Sequence, residues 1–150
     1  MRNLTLPSVI FNLSTLTTKY NRGIELTTVG DFAKALDAFR SCLQTVPVTL
    51  VRGEQEAREL QDLVKRTTEY VSAMRIELER KRLAASGSTD NVRMTELCCY
   101  MTLCAMDLGH KFLAYKNAMN NNYKMNNFIT AANFARMILE MEPTGVSLKN

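Results

Sequence analysis

Apolar side chains recur every three or four residues along most of this chain, a spacing that predicts α-helices. No run alternates apolar and polar residues convincingly over five positions, as a half-buried strand would. The pattern divides into six helices, over residues 6–28, 32–47, 54–83, 92–106, 112–125 and 128–141. We therefore predict an all-α fold of six helices with one long central helix.

The first two helices are bounded by residues suited to helix ends. Pro7 fits a first helical turn, Gly30 permits a tight turn, and Asp31 can cap the helix that follows. Pro47 then ends the second helix. The short connection predicts an antiparallel pair, in which the second helix packs through one apolar face formed by Phe32, Ala35, Leu36, Phe39 and Leu43.

The long central helix carries a heptad-like line of apolar positions. The line consists of Ala57, Leu60, Val64, Thr67, Val71, Met74 and Leu78. We favour a helix that lies along other helices of the same chain, and a dimeric coiled coil remains the alternative. Acidic residues gather at its start and basic residues at its end, which the helix dipole favours. Residues 84–91 are small or polar and predict a loop.

Residues 30–47 and 126–143 repeat one pattern 96 positions apart. The identical pairs are Phe32 and Phe128, Ala35 and Ala131, Arg40 and Arg136, Leu43 and Leu139, and Pro47 and Pro143. The first copy resembles the tetratricopeptide pattern at Gly23, Gly30, Phe32, Ala35, Phe39 and Pro47. We therefore predict a tetratricopeptide-like or α-solenoid array, with Phe32 and Phe128 in the cores of two hairpins.

Composition narrows the classes of function. The chain has 150 residues, 46% of them hydrophobic, and we predict a single domain over residues 6–143 with flexible ends at 1–5 and 144–150. The net charge of +4 is spread among acids and bases, which does not favour a nucleic-acid surface. The longest uncharged apolar stretch, residues 97–106, is half of the roughly 20 residues that a membrane helix needs.

The reactive side chains do not form a recognisable catalytic or metal site. His110 is the only histidine and is expected to cap or pack a helix. Cys98, Cys99 and Cys104 lack disulfide-framework or zinc-ligand spacing, so we expect them to be reduced, buried and intracellular. We predict no catalytic, cofactor-binding or metal residues, no cofactor, and no enzyme activity. The nine methionines fit core packing better than an adaptable binding surface.

Short sequence matches in order along residues 6–143 resemble the alpha subunits of coatomer. They comprise LPSV at residues 6–9, LTTVGDF at 26–32, RS at 40–41, VP at 46–47, ELERK at 77–81, ELCCYMT at 96–102, His110, NF at 127–128 and AANFAR at 131–136. The resemblance implies a helical fragment from the carboxy-terminal region of a larger subunit. By the same resemblance, we expect the amino-terminal propellers and the cysteine-containing terminal module of that family to lie outside this fragment.

The resemblance also implies a function. Coatomer coats vesicles in Golgi and endoplasmic reticulum transport, and the corresponding region binds the epsilon subunit. We expect a structural coat component on the cytosolic face of Golgi membranes and COPI vesicles. It would have other coatomer subunits as partners and would reach membranes only through the assembled coat. The alternative is a free-standing tetratricopeptide-like adaptor for short peptides. We expect the binding surface on the exposed part of the long helix and on the Asn-rich residues 117–127.

Overall fold

A computed structural model describes residues 11–141 of the chain. Six α-helices account for most of them: α1 Leu13–Val29, α2 Phe32–Thr45, α3 Gly53–Ala85, α4 Asn91–Met101, α5 Leu108–Lys124 and α6 Phe128–Met141. A short 3-10 helix, Val46–Val48, follows α2. Within residues 11–141 there is no β-strand, only one isolated bridge between Phe11 and Thr49. The predicted all-α class with one long helix is confirmed.

The chain forms two compact units, Met1–Thr68 and Glu69–Asn150. In the first, α1 packs against α2; in the second, α5 packs against both α4 and α6. Helix α3 continues through the boundary at Thr68 without a break. A single domain over residues 6–143 stays a prediction. The predicted flexible ends, 1–5 and 144–150, and the prolines Pro7 and Pro143 lie outside the described residues.

The first hairpin begins later than its apolar pattern predicts. Asn12 caps α1, and its Oδ1 accepts the backbone N–H of Thr15 at 3.0 Å. The prediction of a helix from residue 6 is therefore wrong at Phe11 and Asn12, because the cap residue has an extended backbone. The predicted turn is confirmed, since Gly30 has a φ of 84° and Asp31 caps α2.

The buried side of α3 differs from the predicted heptad line. Leu63 and Thr67 are buried in the first unit, and Tyr70, Ala73, Met74 and Glu77 are buried in the second. Only Thr67 and Met74 belong to the predicted line; Val64, Val71 and Leu78 are half-buried. The buried stripe therefore lies to one side of the most apolar line, and it includes polar groups that have partners.

Helix α4 is shorter than the apolar run that contains it. It ends at Met101 instead of residue 106, and the hydroxyl of Thr102 donates to the carbonyl oxygen of Cys99 at 2.6 Å. Helix α5 begins at Leu108 instead of residue 112, so Gly109 lies in its first turn. The apolar pattern missed this end because Leu103 is 78% exposed and contributes nothing to the core.

The second hairpin has the predicted turn, and α6 has the predicted bounds. Asn126 adopts a left-handed φ of 61°, which Asn tolerates better than most residues, and Asn127 donates its N–H to the Asn122 carbonyl at 2.8 Å. This left-handed residue stands two positions before Phe128, as Gly30 does before Phe32. The repeat therefore corresponds to the same turn in both hairpins.

The cores of the two hairpins are not equivalent. Ala35 and Ala131 are both buried, as predicted. Phe32 is half-buried, however, and Phe128 is 54% exposed. The prediction that Phe128 is a core residue is wrong. Its ring instead meets Tyr123 edge to face, with the centroids 5.3 Å apart, on the outside of the α5–α6 turn.

Candidate functional site

The Asn-rich segment at residues 117–127 is only partly a surface. Asn122 is buried, and its Nδ2 donates to the Ala118 carbonyl at 2.8 Å and to the Cys99 sulfur at 3.3 Å. Asn121 extends its Nδ2 toward the Cys98 sulfur at 3.5 Å. These amides help to hold α5 against α4, so the surface prediction is wrong for Asn122. The exposed asparagines of the segment are Asn117, Asn120, Asn126 and Asn127.

Helix α3 has the predicted separation of charge. Glu54 and Glu56 lie in its first turn and Arg82 lies in its last turn. The Arg82 guanidinium forms two hydrogen bonds to the Glu79 carboxylate, at 2.7 and 2.8 Å, and thereby lowers the pKa of Glu79. Exposed pairs of this kind within one helix contribute little to stability. The outer side of α3 is a charged, solvated surface.

Helix α6 keeps several large apolar side chains exposed. Its only polar side chains are Thr130, Asn133, Arg136 and Glu140. One side packs on α5, where Ala131 is buried and the Phe134 ring lies 5.9 Å from that of Tyr115. The rest of the helix surface keeps large apolar residues exposed beside the polar ones: Phe128 at 54%, Ile129 at 82%, Met137 at 44% and Leu139 at 70%. We call these four residues the outer face of α6.

Tyr123 extends this apolar surface beyond the end of α6. It lies in the last turn of α5, is 64% exposed, and packs its ring against Phe128. A surface that exposes several large apolar side chains beside polar ones is typical of a protein–protein contact. The outer face of α6, together with Tyr123, is therefore the candidate interaction surface.

The composition of α6 indicates this surface, although the repeat pattern favours a different interpretation. Only four of the 14 residues of α6 are polar, which is too few to fill the solvated side of a helix that packs on one neighbour. The repeat pattern directs attention to Phe128 as a core residue, because its counterpart Phe32 begins a hairpin helix. Counting polar positions along α6 would instead have indicated apolar residues on its exposed side.

His110 has the packing role predicted for it. Its Nδ1 lies 2.8 Å from the hydroxyl of Tyr70, and the two rings meet edge to face. That hydroxyl also accepts the backbone N–H of Asp107 at 2.8 Å, so its own proton is available to donate to Nδ1. Burial lowers the pKa of His110, although nearby Asp107 opposes the shift. This arrangement fixes the start of α5 against α3.

The four cysteines are free thiols. Burial raises the pKa of Cys42, Cys98 and Cys104, which keeps these thiols protonated and weakens them as nucleophiles. Cys99 is half-buried beside Asn122. In the described part of the chain, no three His, Cys, Asp or Glu side chains come together as metal ligands would.

The helices of residues 11–141 also differ from membrane spans. None of them combines the length and the apolar character that crossing a bilayer requires.

The fold is that of an α-helical hairpin protein, and the outer face of α6 is exposed. The family described as the C-terminus of the coatomer (COPI) alpha subunit matches residues 1–148. This chain belongs to that family, and the resemblance seen in the sequence is confirmed.

Individual relatives agree with the family match. The chain is 39% identical to coatomer subunit alpha-2 of Arabidopsis thaliana over 92% of its own length and 11% of the relative. It is 39% identical to coatomer subunit alpha of Dictyostelium discoideum over 78% of its length and 10% of that relative. It is 30% identical to the Saccharomyces cerevisiae coatomer subunit alpha over 74% of its length. The chain thus spans about a tenth of the relatives it matches.

Proposed function

We propose that this chain is part of an alpha subunit of the COPI vesicle coat and serves there as a non-catalytic helical scaffold. Its proposed task is to hold another coat subunit, specifically epsilon. Family membership supports the coat assignment. The observation that carries the scaffold role is the outer face of α6, which leaves Ile129 and Leu139 largely exposed. Burying such residues against a partner stabilises a complex by removing apolar surface from water.

The outer face of α6 suits a partner that docks onto a preformed surface. One side of α6 already packs on α5, and the left-handed turn at Asn126 sets where the helix begins. A partner that binds a helix already in place loses little free energy to ordering. Tyr123 and Phe128 are both exposed, and aromatic residues frequently anchor interfaces.

We further propose that the protein acts on the cytosolic face of Golgi membranes and COPI vesicles. Its contact with membranes would be indirect, through the assembled coat. We also propose that residues 6–143 fold as one helical domain of the larger subunit. The uninterrupted course of α3 through Thr68 supports that idea, because a helix shared by two units couples their unfolding.

Co-purification with the epsilon subunit from the same source tests the proposal. We expect the two chains, expressed together, to elute as one species in size-exclusion chromatography. An unrelated soluble protein of similar size serves as the control, since it should not elute together with this chain. If this chain elutes alone in the presence of epsilon, the scaffold role is wrong.

The same experiment separates the scaffold from a free-standing peptide adaptor. An adaptor would bind isolated short peptides of epsilon as well as it binds the folded subunit. A scaffold that uses an extended outer face needs the folded partner, because its contacts are spread over several helical turns. Equal affinity for unfolded epsilon peptides and folded epsilon would therefore favour the adaptor.

A further inference from the structure

A second surface of different chemistry lies between α3 and α4. It is an open groove of about 670 Å³ within the second unit. Its apolar lining includes Ile76 and Leu78, which are half-buried, and Leu97, which is buried. The groove is separate in sequence from α6, and the proposed contact with epsilon does not use it.

Three arginines line this groove, together with a single glutamate. Arg75 and Arg82 stand seven residues apart on α3, hence on the same side of that helix, and Arg93 comes from α4. The glutamate is Glu79, which Arg82 holds with two hydrogen bonds. Arg93 also lowers the pKa of Glu79. The lining thus carries an excess of positive charge beside apolar side chains.

A ligand can bind the arginines of the groove at a small cost in free energy. Arg75 is exposed. Arg93 contacts Glu96 at 3.1 Å, and both of those side chains are nearly half exposed. Ion pairs of this kind, three residues apart on a solvated helix, contribute little to stability. A carboxylate from a ligand can therefore replace them, and guanidinium groups bind carboxylates through two parallel hydrogen bonds.

We propose that the groove between α3 and α4 binds an acidic segment of another protein that also carries apolar side chains. The segment's carboxylates pair with Arg75, Arg82 and Arg93, while its apolar side chains lie against Ile76 and Leu78. Charge complementarity selects the acidic partner. The apolar lining favours a peptide over a purely phosphate-bearing ligand, since phosphate would leave that lining uncovered.

A fluorescence anisotropy titration of the full 150-residue chain tests this proposal. The probe is a labelled synthetic peptide in which Leu recurs roughly every three to four residues among Glu residues. We expect saturable binding, and binding that weakens as the ionic strength rises from about 0.01 M to about 1 M. A matched peptide with Gln in place of Glu should bind more weakly. No saturable binding of the acidic peptide would overturn the proposal.

Variants locate the site. Arg75→Gln and Arg93→Gln should each weaken binding about twofold to fivefold. Arg40→Gln is the matched control, because Arg40 is exposed on α2 and the change in net charge is the same. Equal losses in all three variants would contradict the proposal, as would unchanged binding by Arg75→Gln. Circular dichroism spectra identical to wild type exclude loss of folding as the cause.

Competition with inorganic tripolyphosphate tests whether the apolar lining matters. The acidic peptide should resist displacement by tripolyphosphate of equal total charge, because tripolyphosphate gains nothing from Ile76 and Leu78. Equally effective displacement would overturn the assignment to a peptide. Retained peptide binding in an Ile129→Lys variant would show that the groove acts independently of α6, whatever the outcome with epsilon.

Discussion

Gly23 lies directly beneath the ring of Phe39, so close that a Cβ atom at position 23 would stand 2.5 Å from Cε1 of that ring. Phe39 itself is completely buried. The absence of a side chain on α1 is therefore what allows α2 to approach it. Both residues belong to the tetratricopeptide-like pattern in the sequence, and the contact gives that pattern a steric reason.

The closeness of Gly23 and Phe39 predicts the effect of adding one methyl group. Gly23→Ala should destabilise the fold by about 1–3 kcal/mol, because the new Cβ must displace a packed aromatic ring. Gly109→Ala is the matched control: Gly109 is also helical, and no atom would lie within 4 Å of its added Cβ. That variant should be neutral or more stable by up to about 1 kcal/mol. Urea unfolding of both variants measures the contrast, and equal effects would contradict the packing described here.

The two aromatic residues Phe39 and Phe128 should respond very differently to truncation. Phe39→Ala removes a fully buried ring and should cost about 3–5 kcal/mol. Phe128→Ala removes a ring that is 54% exposed and should cost less than about 1 kcal/mol in the isolated chain. Thermal unfolding followed by circular dichroism compares them. A loss at Phe128 as large as that at Phe39 would place Phe128 in the core after all.

The burial of His110 beside Tyr70 predicts a dependence of stability on pH. The folded state lowers the pKa of His110 below its ordinary 6.5, so the unfolded chain binds the proton more readily. This contribution to stability is complete above about pH 6.5 and is lost as the pH falls through the folded pKa. Free energies of unfolding measured from about pH 7.5 to about pH 5 should therefore fall more steeply for wild type than for His110→Gln. Parallel curves would show that His110 does not titrate differently on folding.

Glu77 and Arg80 form an ion pair that is largely removed from solvent. The Glu77 side chain is 7% exposed and that of Arg80 is 28% exposed, and the hydrogen bonds that Arg80 donates to Glu77 raise the pKa of the guanidinium. Arg80→Leu should destabilise the fold by about 2–3 kcal/mol, since it leaves a buried carboxylate without its partner. Adding Glu77→Leu should restore most of the loss. Arg82→Leu, which breaks an exposed pair, should change the urea midpoint little, and a loss equal to that of Arg80→Leu would refute the distinction.

The sequence predicted those parts of the fold that local chemistry determines. The turns at Gly30 and Asn126 follow from residues that accept a left-handed backbone, and the cap at Asp31 follows from its carboxylate. The bounds of α6 were correct for the same reason, because a left-handed residue precedes it and the apolar run begins at once.

Features set by contacts between helices were harder to predict. The heptad line on α3 ranks positions by apolar character, yet the buried side includes Glu77 and Thr67, which the fold satisfies with Arg80 and the Leu63 carbonyl. Identical residues in the repeat also do not imply identical packing. At the positions that correspond to Gly23 and Phe39, the second hairpin has Met119 and Ala135, so the small and large residues are exchanged between helices.

A binding titration of the folded epsilon subunit against variants of α6 tests the scaffold role most directly. Ile129→Lys and Leu139→Lys place charges on the outer face of α6, and Val29→Lys places one at a comparably exposed apolar position on α1. We expect wild type and Val29→Lys to bind epsilon equally, and each α6 variant to lose at least about tenfold in affinity, which corresponds to roughly 1.4 kcal/mol. Unchanged affinity in both α6 variants, with their circular dichroism spectra intact, would contradict the proposal that this face holds the partner.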